Sequence, residues 1–336
     1  MPIFDKEMHF MKNGKPTMKD VSREAGVALG TVSRVFNGQP VGEEYRIRVE
    51  EAAQKLGSQV NPSARGLKTN KTNIIAVILP STDHPYFASL AQHLNLALAR
   101  RNYHMMLFLT DSDHEREDAC IRMVRQNKVD GIIGLTYSMV HLGDDIPFIS
   151  IDRYFGPNVP CVASDNYGGG RLAAEKLVQC GCRKLLFLRT GSAVPGEADK
   201  RGDGFVTACS LMGIPCDAYR LNECKDTEVF RPYFEKHIAN GKLEYDGIFC
   251  STDLLAAQIR DLLKDMGFRV PEDVQIIGFD GIRRFDTGGY FCTTIVQPVD
   301  KIAESCVDML LREDRANGPN LVCLPVSYAY GGTTKE

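Results

Sequence analysis

Met18-Lys19-Asp20-Val21-Ser22-Arg23-Glu24-Ala25-Gly26-Val27, followed after Ala28 and Leu29 by Gly30-Thr31-Val32-Ser33-Arg34-Val35-Phe36-Asn37-Gly38, decides how this chain is read. Thr17 stands three residues before Asp20, a capping-box spacing that sets a carboxylate at the positive end of a helix. Met18, Val21 and Ala25 then share one helical face, and Gly26 interrupts it. A second short helix follows from about Leu29 to Asn37, with Val32, Val35 and Phe36 facing inward. Asn37-Gly38-Gln39-Pro40 makes a turn. A third helix runs from about Glu43 to Leu56 and buries Val49, Ala52, Ala53 and Leu56. Two short helices across a tight glycine-containing turn, braced by a third, form the helix-turn-helix plan.

The outer face of the second helix carries Leu29, Gly30, Thr31, Ser33 and Arg34, with Asn37 at its end. These small, polar or basic groups suit a DNA major groove about 12 Å wide. Downstream, Asn61-Pro62-Ser63-Ala64-Arg65-Gly66-Leu67-Lys68 starts with a cap residue and a proline at the first helical position. It is too short and too weakly apolar to be helical alone. An apolar Leu67 between Arg65 and Lys68 has the composition of a wedge that orders on contact with a minor groove. Charge agrees: residues 1–71 carry a net +4 and the remainder −7, within a total of −3. That is the pattern of a small polyanion-binding head on an acidic body.

These stretches, Met18 to Val27, Gly30 to Gly38 and Asn61 to Leu67, resemble the DNA-binding head and hinge helix of LacI/GalR-family transcription regulators, and the likeness extends to about residue 332. The resemblance implies that Thr31, Ser33 and Asn37 hold phosphates while Arg34 contacts bases or backbone. Leu29 and Gly30 would read base edges. Ala64 and Arg65 would sit in the minor groove, with Leu67 wedged into the central step of a pseudo-palindromic operator. Thr17, Met18, Tyr45, Asn61 and Lys68 complete the implied DNA contacts. Ala28, Gly30, Gly42, Ser58 and Val60 depart from the family pattern, which bears on operator sequence more than on the mode of binding.

From Asn73 onward apolar strands alternate with helical stretches. Strands are expected at Ile74–Leu79, Met105–Leu109, Gly131–Leu135, Ile146–Ile151, Lys184–Leu188, Gly247–Cys250 and Val274–Phe279, with a short one at Cys161. Helices are expected at Tyr86–Arg101, about Glu115–Asn127, Tyr167–Gly181, Asp199–Leu211, about Val229–Asn240 and Asp253–Met266. This alternation predicts two doubly wound α/β lobes with parallel sheets, and a cleft at the carboxyl ends of their strands. The resemblance implies a periplasmic-binding-protein-like core, with chain crossovers near residues 165, 295 and 327.

Polar residues cluster just after these strands. Asp152, Arg153, Asp165, Thr252, Asp253 and Asp280 do so, Arg201 opens a helix, and Tyr86 and Phe87 begin the first helix of the body. Carboxylates accept bonds from vicinal hydroxyls, a guanidinium donates to ring or hydroxyl oxygens, and aromatic rings cover the apolar face of a sugar. These nine residues are the candidate effector contacts. The resemblance adds weight to Arg201 and Asp280. Asp253 also suits a structural role in the first turn of a helix, and Arg153 suits an ion pair between lobes.

The domains expected are therefore a disordered arm over 1–16, the head over 17–58, the hinge and linker over 59–72, and an effector-binding and dimerisation domain over 73–336. Eleven cysteines are an odd number and no export signal is evident, so reduced thiols in a cytoplasm are expected. No metal-ligand spacing appears, and no metal or cofactor is expected beyond a small-molecule effector, a carbohydrate by the chemistry above. The longest apolar run is too short to span a bilayer. Gly168-Gly169-Gly170 has no following Lys-Ser/Thr and is not a P-loop. The reading is a homodimeric repressor, without heptads to join dimers, whose operator affinity an effector controls. A sugar-binding protein or an α/β enzyme without a DNA role are the rivals.

Overall fold

The structure, a computed structural model, describes residues 16–36, 39–57, 71–136, 146–155, 159–191, 196–222, 226–284, 286–314 and 319–335. Residues 1–15 of the arm expected at 1–16, residue 58 of the head, and residues 59–70 of the hinge and linker expected at 59–72 lie outside the described residues. The chain divides into two compact units, Met1–Thr72 and Asn73–Glu336.

In the first unit, α1 (Met18–Ala25), α2 (Leu29–Phe36) and α3 (Glu43–Leu56) enclose a small core of Val21, Ala25, Val32, Val49, Ala52 and Ala53. The Asp20 carboxylate accepts from the Thr17 amide at 2.9 Å and from the Thr17 hydroxyl at 2.6 Å, which anchors the start of α1. Arg48 on α3 donates to the Ala25 carbonyl at 2.6 Å, satisfying a carbonyl at the end of α1 that the helix itself leaves unpaired.

The second unit is built on two six-stranded sheets. Its first elements are β1 (Ile74–Leu79), α4 (Pro85–Ala99), β2 (His104–Leu109), α5 (His114–Gln126), β3 (Gly131–Gly134), β4 (Phe148–Ile151) and β5 (Cys161–Ser164). Then follow α6 (Asn166–Gln179), β6 (Leu185–Gly191), α7 (Lys200–Met212), β7 (Cys216–Asn222), α8 (Arg231–Lys236), and a small hairpin of β8 (Ile238–Ala239) and β9 (Lys242–Leu243). The last are β10 (Gly247–Cys250), α9 (Asp253–Asp265), β11 (Gln275–Asp280), β12 (Thr294–Val296), α10 (Val299–Leu311), β13 (Leu321–Leu324) and β14 (Ser327–Ala329).

The first lobe's sheet runs β13-β5-β4-β3-β1-β2 and is parallel throughout. The second lobe's sheet runs β14-β12-β11-β10-β6-β7, with only β14 antiparallel. The chain passes between the sheets after β5, after β12 and after β13. Helices on both faces leave the central strands no polar side, so β1 is Ile-Ile-Ala-Val-Ile-Leu with its last five residues fully buried. Each large side chain so enclosed contributes about 1.5–3 kcal/mol.

Two expectations change. The helix expected over Val229–Asn240 is a single 3-10 turn (Thr227–Phe230) and the short α8, because the chain turns at Asn240-Gly241 into the β8–β9 hairpin. Strand β7, Cys-Asp-Ala-Tyr-Arg-Leu-Asn, was not expected: it is an edge strand of mixed polarity rather than an apolar run. The triple glycine lies inside α6, where Gly170 meets the Arg201 carbonyl and Gly204 of α7 meets the Tyr167 carbonyl so closely that neither admits a Cβ. Its role is backbone-to-backbone helix packing, which places Arg201 against α6.

Candidate functional site

The exposed surface of the first unit carries several of the residues singled out above. Leu29, Gly30 and Arg34 are exposed along α2, and Thr31 and Ser33 are half-buried beside them. Met18 and Tyr45 are exposed on α1 and α3. The hydroxyl of Thr17 is engaged by Asp20. Asn37, Asn61, Ala64, Arg65, Leu67 and Lys68 lie outside the described residues.

In the second unit the carboxyl ends of both sheets face a cleft of about 720 Å³, counting the space open to solvent. His84, Tyr86, Phe87, Leu135, Asp152 and Arg153 line it from the first lobe. Arg189, Gly196, Ala198, Arg201, Ser251, Thr252 and Asp280 line it from the second, and Gln297 stands at the crossover after β12. Pro85 at the start of α4 and the His84 ring, whose Nδ1 accepts from the Tyr86 amide at 3.3 Å, fix the helix that presents Tyr86 and Phe87.

Arg201 is held from three sides. Its Nε donates to Asn166 Oδ1 at 2.7 Å, its Nη1 donates to the Ser251 carbonyl at 2.6 Å, and its guanidinium lies 3.7 Å from the centre of the Phe279 ring. Asn166 also donates to the Ser164 carbonyl at 3.0 Å, and its amide nitrogen lies 3.4 Å from Asp152 Oδ1. Gln297 donates to Asp280 Oδ1 at 2.8 Å and accepts from Ser164 at 2.8 Å. One buried polar network thus joins the floor of both lobes.

Asp152 and Asp280 both have positive φ, 54° and 133°, conformations that side chains rarely adopt and that concentrate at functional positions. Burial pushes the Asp280 carboxyl above the ordinary range, against the pull of Arg201. Burial raises that of Asp152 likewise. His84 goes the other way: burial first, then Arg201, bring it down to about 4. Three buried atoms on the cleft's lining residues, Asp280 Oδ2, Ser251 Oγ and Tyr86 OH, have no hydrogen-bond partner among the described residues. An unpaired buried polar atom costs roughly 1–3 kcal/mol.

Two residues expected here are turned elsewhere. Asp253 is fully buried and accepts from Thr294 Oγ1 at 2.6 Å and from the amides of Gly281 and Ile282 at 2.9 and 2.7 Å. It braces the loop after β11 and does not line the cleft. Asp165 caps α6, accepting from the Gly168 amide at 2.8 Å. Thr252 both lines the cleft and caps α9. Arg153 is buried against Gly196 of the second lobe.

Sequence reasoning missed His84, Arg189, Ser251 and Gln297. For Arg189 a signal existed: β6 continues past its apolar part, so a basic residue ends a strand. For Gln297 none did, since its place depends on the unanticipated β12.

Residues 17–61 match the model of bacterial regulatory proteins of the lacI family, and residues 72–316 match that of periplasmic binding proteins and the sugar binding domain of the LacI family. The ribose operon repressor of Halalkalibacterium halodurans is 32% identical over 306 residues, covering 88% of this chain and 90% of that protein. The sucrose operon repressor of Streptococcus mutans is 29% identical over 322 residues, covering 94% of this chain and 98% of that protein. Among solved structures, a periplasmic binding protein/LacI transcriptional regulator from Alkaliphilus metalliredigens, complexed with D-xylulofuranose, superposes with a TM-score of 0.66 at 26% identity. It covers 79% of this chain and 100% of its own. With the helix-turn-helix head at one end and the two-lobed cleft in the body, the chain belongs to the LacI family of bacterial regulatory proteins.

Proposed function

We propose that this chain is a transcriptional repressor that grips operator DNA through α2 as a homodimer and adjusts that grip when a carbohydrate fills the cleft. The observation that carries the reading is the set of unpartnered buried atoms on Asp280, Ser251 and Tyr86, set around a cleft that both lobes line. Polar groups held that way favour a ligand rich in hydroxyls, and a ligand touching both lobes biases their relative position. The sugar-operon repressors among its relatives and the bound D-xylulofuranose of the Alkaliphilus protein support the same class.

In this reading the chain acts in the cytoplasm and is not an enzyme; its described helices include none long and apolar enough to cross a membrane. A coupling of about 1–3 kcal/mol between cleft and head would change operator affinity roughly 5–150-fold. The test is selection of genomic fragments by the full-length protein, followed by titration of a selected fragment with and without sugars. A protein that selects no fragment under any condition overturns the proposal.

A further inference from the structure

The segment Cys209-Ser210-Leu211-Met212-Gly213-Ile214-Pro215-Cys216 leads from the last turn of α7 into β7. Its backbone is fixed at both ends. Gly213 takes a left-handed φ of 67°, its amide donates to the Ser210 carbonyl at 3.2 Å, and the Ile214 amide donates to the Cys209 carbonyl at 2.9 Å. These bonds end the helix and turn the chain back. The Pro215 carbonyl then accepts from the Leu185 amide at 2.9 Å, and Cys216 stands in register with Leu185 of β6. Held this way, the two side chains meet: the Cys209 thiol is hydrogen-bonded to the Cys216 sulfur. Cys209 is buried with Phe187 and Phe205, whereas Cys216 packs on the rim of that cluster from an edge strand and is partly exposed. Neither thiol lines the cleft.

We infer that Cys209 and Cys216 form a modification site, a dithiol that a hydroperoxide converts reversibly into an intramolecular disulfide. With hydrogen peroxide, the thiolate sulfur of Cys216 attacks one oxygen and the O–O bond breaks. The sulfur is oxidised to a sulfenic acid, and the departing hydroxide takes up the proton that Cys216 lost. The Cys209 sulfur then attacks the Cys216 sulfur; its proton leaves with the displaced hydroxide as water, and the S–S bond closes. Two thiols thus give up two electrons and two protons, and one peroxide becomes two waters. A dithiol reductant reverses the step by exchange at the same bond.

The surroundings assign the order. Cys216 is the accessible partner, and the hydrogen bond from Cys209 holds its thiol below the ordinary value, against burial and the neighbouring Asp217. The same bond raises the thiol of Cys209, which suits the resolving partner. Cys120 and Cys323 are also open to solvent, but burial pushes their thiols up. The disulfide fastens to the sheet the last turn of α7, the helix whose first turn carries Arg201.

The test treats the reduced full-length protein with hydrogen peroxide, alkylates the remaining thiols and maps them by mass spectrometry. Both cysteines fall in one tryptic peptide, Gly202–Arg220. The disulfide therefore appears as that peptide unalkylated and lighter by two hydrogens, and dithiothreitol restores two alkylatable thiols. Oxidation is expected at least about tenfold faster there than at Cys120 or Cys323. In Cys209→Ser the disulfide is lost and dimedone captures the Cys216 sulfenic acid; in Cys216→Ser, Cys209 stays reduced. A Gly202–Arg220 peptide that keeps both alkylatable thiols while Cys120 or Cys323 oxidises as fast overturns the inference, and so does pairing of Cys216 with any other cysteine. The measurement on the parent decides the matter even where a serine variant fails to fold.

Discussion

The amide of Glu197, in the turn before α7, donates to the carbonyl of Asp152, after β4, at 3.0 Å, and so ties the second lobe to the first at the mouth of the cleft. Glu197 opens a short 3-10 turn behind an extended Gly196, where proline fits the backbone; it removes the N–H and, within the second lobe, the carboxylate that accepts from Lys200 at 2.8 and 2.7 Å. Glu197→Pro therefore deletes one bond between lobes. A net hydrogen bond contributes about 0.5–1.5 kcal/mol, so affinity for a carbohydrate that fills the cleft should fall roughly two- to tenfold. Calorimetric titration checks it, and unchanged affinity would show that this bond does not govern closure.

Asp253 is held by the loop after β11 through Thr294, Gly281 and Ile282, and Cys292 Sγ adds a weak contact at 3.4 Å. Asp253→Ala strands the buried Ile282 amide and takes the shorter of two bonds from both the Gly281 amide and the Thr294 hydroxyl. It should cost about 3 kcal/mol or more, lowering the melting temperature of the body by roughly 6–12 °C. Asp165→Ala removes one exposed-end cap and should cost only about 1 kcal/mol. Thermal melts of the two variants side by side separate a carboxylate that braces a loop from one that caps a helix.

Both aspartates show where sequence reading stops. Their position just after a strand is the same as that of Asp152, yet only contacts far along the chain decide which carboxylate looks into the cleft. The helix-turn-helix was legible because its signals are local: a capping carboxylate, a 3.6-residue apolar spacing and turn glycines. The central parallel strands were legible because burial on both faces leaves uninterrupted apolar runs. Edge strand β7 escaped for the converse reason. Gln297 escaped because its value comes from pairing far along the chain, with Ser164 over 133 positions.

The head offers a separable test of recognition against stability. Gly30 is exposed on α2, and a Cβ there would meet nothing within 4 Å. Gly30→Ala should stabilise α2 by about 0.5–1 kcal/mol through its lower backbone entropy. It also places a methyl group where the family resemblance puts base readout, so the preferred operator should shift while general DNA affinity persists. Arg34→Ala should instead weaken binding to all duplexes and reduce the salt slope by about one unit if Arg34 contacts a phosphate. Anisotropy titrations at several salt concentrations distinguish the two. A Gly30→Ala protein with unchanged sequence preference would remove this position from readout.

His84 also makes the body's stability depend on pH in a defined direction. In an unfolded chain its imidazole titrates near 6.5, whereas in the fold burial and Arg201 bring it down to about 4. Between those values the unfolded chain takes up a proton that the folded chain refuses, so stability is full above about pH 6.5 and is lost as pH falls toward 4. The separation amounts to about 3 kcal/mol at most. Arg201 and Asp280 are the charged groups facing the ring, and Phe87 covers its side at 5.1 Å. Asp280 titrates with the opposite sign, its raised carboxyl favouring the folded state as protons are added, so the net slope of the parent alone is not diagnostic. The difference between the parent and His84→Asn is. From pH 7 to pH 4.5 the variant should gain roughly 5–10 °C in melting temperature relative to the parent. Parallel curves for the two proteins would mean that the ring accepts its proton as readily in the fold as in water, so that burial does not lower its titration.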